Sequence, residues 1–130
     1  MRQAGIVAAA GLYALDHHVE RLADDHEHAR RLADGLVEAG LPVDREQVET
    51  NFVFVDVGAL GLDPDEAVAR LRAEGVLLSF AAPPGVLRAV THLDVARDDL
   101  DPAVEAIARA LAPERSAVQV AREAPAPTPY

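Results

Sequence analysis

Arginine is the residue to start from, because all twelve basic residues of this chain are arginine, with no lysine and no cysteine. Without cysteine there is no thiolate nucleophile, no thiolate metal ligand and no disulfide framework. Arg88 heads the candidates. Strand alternation puts it with Val86 and Val90 on one face, while Leu87 and Ala89 take the other. If its face is covered, the guanidinium needs a partner, since losing one member of a buried charge pair costs about 3–5 kcal/mol. One reading is a snorkelling or rim arginine, or an internal bridge to Asp56 or Asp94. The other is an anion site, where the planar guanidinium fork grips a carboxylate through two hydrogen bonds. Arg2, beside Gln3 at the opening of the first helix, has a similar pair of readings: surface charge, or phosphate clamp at a helix N-terminus.

The five histidines raise the question of metal, and His26-Glu27-His28 beside Asp24 and Asp25 is their densest group. On a helix, residues two apart point to different sides, and only Asp24 and His28 stand at i,i+4. The spacing therefore predicts a solvated helix face and no metal site. No Gly-rich phosphate loop, nucleophile elbow or Ser-His-Asp set is present, and Ser79 and Ser116 lie in ordinary surroundings. No catalytic residue is expected in this chain.

Positioning these side chains requires a fold, and the pattern from Met1 to Leu36 is helical. Ile6, Tyr13 and the neighbouring alanines are apolar almost all round, which predicts a buried first helix. Polarity changes at Asp16-His17-His18. A second helix is expected from Val19, with Val19, Leu22, Ala23, Ala29, Leu32, Ala33 and Leu36 as its apolar stripe and Asp24, Asp25 and Glu27 mostly facing water. Gly40 and Pro42 end it. Asn51 to Val57, aromatic and β-branched on both faces, suits a strand buried in a sheet. Asp63-Pro64-Asp65-Glu66 opens a helix that Gly75 closes. Val76 to Phe80 and Leu87 to His92 read as two further strands, and a last helix runs to about Leu111. The fold class is α+β: two N-terminal helices, then a short three-stranded sheet with helices on one face. Residues 1–111 form the expected domain, and the Ala/Pro-rich stretch 112–130 is expected to be disordered.

A net charge of −10 on 130 residues excludes a nucleic-acid partner, because counterion release needs clustered positive charge. The apolar run from Ala4 to Leu15 is too short for a bilayer span of about 20 residues, and no small-x-small cleavage pattern follows it. A cytoplasmic location without membrane attachment is the expectation.

Five segments, taken in order, carry a resemblance. They are Met1-Arg2-Gln3-Ala4-Gly5-Ile6, Ala8-Ala9-Ala10-Gly11-Leu12-Tyr13-Ala14-Leu15, Arg21-Leu22-Ala23-Asp24-Asp25-His26, Thr50-Asn51-Phe52-Val53-Phe54-Val55, and Leu87-Arg88-Ala89-Val90-Thr91-His92-Leu93-Asp94-Val95. Together they resemble the C-terminal part of the low-specificity L-threonine aldolases, pyridoxal-phosphate enzymes similar to β-eliminating lyases. The resemblance implies the C-terminal small domain of the aspartate-aminotransferase-like fold, and a parent reaction cleaving L-threonine or L-allo-threonine to glycine and acetaldehyde. It also implies that Arg88 grips the substrate carboxylate, that Arg2 lies near the cofactor phosphate, and that the first helix is covered by a large domain and a partner subunit of a homo-oligomer. In one departure, Ala96 stands where the family commonly has serine, so the cap of the last helix is expected at Asp98 or Asp101 with Pro102 in its first turn.

Chemistry of this class holds pyridoxal phosphate on a lysine, and this sequence has none. In the family that lysine lies upstream of the segment matching Met1-Arg2-Gln3. The expectation is therefore a truncated gene model, a split gene or a remnant, inactive alone. A stand-alone α+β binding or oligomerisation module is the alternative.

Overall fold

The computed structural model describes residues 2–112. Its order is α1 (Ala4–His17), α2 (Leu22–Glu38), β1 (Phe52–Asp56), α3 (Pro64–Ala73), β2 (Ser79–Phe80), β3 (Val86–Val90) and α4 (Leu100–Leu111), with short 3-10 turns at Arg45–Gln47 and Arg97–Asp99. This is the expected α+β arrangement. The strands form one antiparallel sheet in the order β1-β3-β2. Asn51 to Val57, expected to be buried in a sheet, supplies instead an edge strand covered on one side, because β3 has the central place. Most of Val76 to Phe80 is irregular; only Ser79 and Phe80 pair, opposite Arg88 and Leu87.

Period-two alternation decides what lies inside. Val53 and Val55 of β1 and Leu87 and Ala89 of β3 are buried in one core with Ala29, Leu32, Ala33 and Leu36 of α2, Ala67 and Leu71 of α3, and Leu100, Ile107 and Leu111 of α4. Helices α2 and α4 approach closely at Gly35, where an added Cβ would stand 2.7 Å from a Val104 methyl. Salt bridges join the elements at the surface: Arg31 to Asp101 at 2.7 Å across α2 and α4, and Arg109 to Glu74 at 3.2 Å across α4 and the end of α3.

The helix ends follow from local chemistry. The Asp63 carboxylate accepts from the backbone N–H groups of Asp65 and Glu66, with Pro64 at the first helical position of α3. Both α2 and α3 finish on a left-handed glycine, Gly40 and Gly75. In each case the residue after the glycine donates back into the last turn, Leu41 to the Leu36 carbonyl and Val76 to the Leu71 carbonyl, both at 2.9 Å. The cap of α4 is neither Asp98 nor Asp101. Asp99 occupies that position, and its carboxylate turns back to accept from Ala96 N–H at 2.9 Å. Pro102 does lie in the first turn.

Helix α1 forms, and among the described residues no other element packs over it: Ile6 is 73% and Leu15 66% exposed, so the cover that the resemblance implies would have to come from beyond them. One further expectation is corrected. Helix α2 starts at Leu22 rather than Val19, leaving Val19, Leu22 and Ala23 exposed, while Asp25 turns inward and is held by a bidentate bond from Arg21. The inward turn follows from Thr91, which bonds the Asp25 carbonyl and draws that turn of the helix onto the sheet. Apart from Ala112, the stretch 112–130 lies outside the described residues. Among the described residues no helix is long and apolar enough to cross a membrane.

If this core carries the fold, Leu87→Ala lowers unfolding stability by about 2–5 kcal/mol and Asp63→Ala by about 1 kcal/mol, both read from urea denaturation.

Candidate functional site

The same alternation that buries Leu87 and Ala89 sends Arg88 to the sheet face that no helix covers. Its direct cross-strand partners are Phe54 on β1 and Ser79 on β2, so all three share that face. The guanidinium carbon lies 5.0 Å from the centre of the Phe52 ring, diagonal to it on β1. Phe52 in turn meets Phe54 edge to face, with ring centres 6.3 Å apart.

Neither bridge considered for Arg88 forms. The Asp56 carboxylate accepts from Ala59 N–H, and Asp94 lies by the His92 ring at 3.8 Å. Arg88 Nε is buried and has no hydrogen-bond partner among the described residues. Four described arginines are half-buried, and the comparison among them is informative. Arg21 pairs with Asp25, Arg31 with Asp101 and Arg70 with Glu66, while Arg88 has no carboxylate. A buried donor without an acceptor costs about 1–3 kcal/mol. An anion on the open face would meet the guanidinium through its terminal nitrogens.

A neighbouring cleft has different chemistry. About 480 Å³ in volume, it lies between Phe54, Asp56 and Val86 on the sheet and Pro42, Asp44 and Pro83 on the adjoining loops. Two carboxylates on its lining make it a poor anion site, so the electrostatics point to Arg88 rather than to this cleft. Arg2 is exposed in the turn before α1, and no described hydrogen bond or ion pair joins it to Arg88. On α1, the His17 ring stacks on Tyr13 with centres 4.1 Å apart. Among the described residues no group of three or more His, Cys, Asp or Glu side chains is arranged to hold a metal ion.

Sequence reasoning passed over three residues that the site depends on. Thr91 is 2% exposed and donates to the Asp25 carbonyl at 2.7 Å, fastening α2 to the end of β3. Asn51 donates to the Thr91 carbonyl at 2.8 Å, and its own carbonyl accepts from Thr91 N–H at 3.0 Å. The third is Phe52. A polar residue immediately before or after each strand was the available signal for Asn51 and Thr91; nothing in the spacing singles out Phe52.

Residues 1–59 match the sequence model of the family described as Beta-eliminating lyase. The chain is 46% identical over 104 residues to the low-specificity L-threonine aldolase of Escherichia coli (strain K12), covering 77% of this chain and 28% of that protein. It is 44% identical over 84 residues to a probable low-specificity L-threonine aldolase 2 of Arabidopsis thaliana, covering 60% of this chain and 22% of that protein. It is 34% identical over 68 residues to the low-specificity L-threonine aldolase of Candida albicans, covering 52% and 18%. Across these matches the chain belongs to the β-eliminating lyase family in which the low-specificity L-threonine aldolases fall. It spans under a third of the length of the relatives it matches.

Because Arg88 has no counter-ion to lose, Arg88→Met should leave stability within about 1 kcal/mol of the parent chain in urea denaturation. Thr91→Val, which removes a buried hydrogen bond to a carbonyl that keeps its partner in the helix, should lower it by about 0.5–1.5 kcal/mol.

Proposed function

We propose that residues 1–111 act as the small C-terminal domain of a pyridoxal-phosphate-dependent, threonine-aldolase-like lyase, with Arg88 gripping the carboxylate of a β-hydroxy amino acid such as L-threonine or L-allo-threonine. One observation carries this reading: Arg88 is half-buried, its Nε is without an acceptor, and it stands on the sheet face left open by the helices. Two parallel N–H groups on a fixed plane match a carboxylate, and holding that end of the substrate fixes the direction in which its Cα–Cβ bond points.

The cofactor does not fit on this chain's residues alone. There is no lysine to bind the pyridoxal aldehyde, and Arg2, the one candidate for the phosphate, is exposed in a turn. On this reading the cofactor-bearing residues come from polypeptide other than these 130 residues, and the chain's share of the chemistry is to bind and orient substrate. The absence of cysteine suits a reducing compartment, and we assign the chain to the cytoplasm.

A second reading is supported by α1, whose Ile6, Val7, Leu12, Tyr13 and Leu15 are all more than half exposed. A stand-alone binding or oligomerisation module would use that helix to meet its partner. The readings separate in solution. Monodisperse, cooperatively unfolding protein favours the module, whereas aggregation that stops on adding a large domain favours the lyase.

Reconstitution gives the functional test. The chain mixed with a lysine-bearing large domain, pyridoxal phosphate and L-threonine should release acetaldehyde, and Arg88→Lys should raise KM by roughly tenfold or more with a smaller change in kcat, as expected when a bidentate contact worth about 1.5–3 kcal/mol is lost. Acetaldehyde from the chain alone, or a reconstituted enzyme indifferent to Arg88, contradicts the proposal.

A further inference from the structure

We propose that Phe52 is a positioning residue for Arg88: its ring holds the guanidinium in the orientation that receives a carboxylate. The inference rests on the carboxylate role proposed for Arg88. It is carried by a separate observation, the contact between the two side chains.

An arginine side chain has four rotatable bonds and, in the open, surrenders that freedom when it binds a ligand. Among the described residues Arg88 has neither an ion pair nor an acceptor for Nε to fix its plane. What it does have is an aromatic face: its Cζ is 5.0 Å from the Phe52 centroid, inside the roughly 6 Å reach of a cation–π contact. The ring is itself braced, since Phe54 meets it edge to face at 6.3 Å. Phe54 is also the direct cross-strand partner of Arg88. The cation thus stands on the Phe52 ring, which Phe54 braces and the β1–β3 register fixes in place. A ring satisfies the guanidinium face while leaving its N–H edges free, which a carboxylate partner from the same chain would not do. Phe52 is 37% exposed, more than its packing would require of a core aromatic, and it contributes little to the buried cluster on the other side of the sheet.

The test uses the Arg88 Nε–Hε resonance of the 130-residue chain at mildly acidic pH, assigned by its loss in Arg88→Lys. In the parent chain the Phe52 ring current should shift this resonance upfield. Phe52→Leu, which keeps an apolar side chain of similar reach, should abolish the shift, and Phe52→Tyr should restore it. Titration with acetate as the carboxylate probe should show a Kd raised roughly two- to fivefold in Phe52→Leu and recovered in Phe52→Tyr, the size of an exposed cation–π contact. The backbone amide spectrum shows that each variant is folded. An unshifted Arg88 signal in the parent chain, or a folded Phe52→Leu variant with parental shift and parental Kd, overturns the proposal. If the parent chain shows the ring-current shift but no acetate reaches Arg88, the carboxylate role fails while the placement of Arg88 by Phe52 stands.

Discussion

Everything at this site depends on a three-stranded sheet that is covered on one side only. Helices take the face carrying Val53, Val55, Leu87 and Ala89, and the apolar area they bury holds the domain together. The opposite face inherits the alternate residues. Arg88, Phe52 and Phe54 are there because their neighbours in sequence are needed inside, and a one-residue slip of β3 would exchange the two sets. Asn51 and Thr91 prevent that slip by clasping the end of the ladder, and Thr91 extends the clasp to α2. The polar residues flanking the strands are thus structural, and the charge in the middle of the central strand has no carboxylate partner among the described residues.

The contrast with the other arginines gives that charge its meaning. A protein that uses arginine for every cation still distributes it by role: Arg31 and Arg109 join helices, Arg21 pins an inward-turned aspartate, and Arg70 braces its own helix against Glu66. Each has a carboxylate within reach. Arg88 is enclosed to a comparable degree and rests on an aromatic ring instead. Such a group costs stability in isolation and is suited to a ligand that arrives from outside.

How much of this was legible in the sequence depends on whether the signal was local. The Asp63-Pro64 cap, the glycine stops at Gly40 and Gly75 and the two-sided character of Val86–Val90 are each written within a few residues, and the structure follows them. The start of α2, the length of β2 and the cap at Asp99 depended on tertiary contacts or on competition between adjacent aspartates. Burial of α1 could not be judged from its own composition, because an all-apolar helix is buried only if something lies beside it, and no other element among the described residues does. The position of Arg88 on a strand face was readable; its lack of a counter-ion was not, since Asp56 and Asp94 were equally plausible from spacing and are engaged elsewhere.

The central claim is that the open face of the sheet presents Arg88 to an incoming carboxylate. A crystal structure of the chain soaked with glycine or L-threonine tests it most directly. The account predicts density for the ligand carboxylate on the guanidinium edge, with the terminal nitrogens within hydrogen-bonding distance and the Phe52 ring still beneath the plane. Arg88 found turned away into solvent or paired to a carboxylate of its own chain, with the ligand elsewhere or absent, would contradict it.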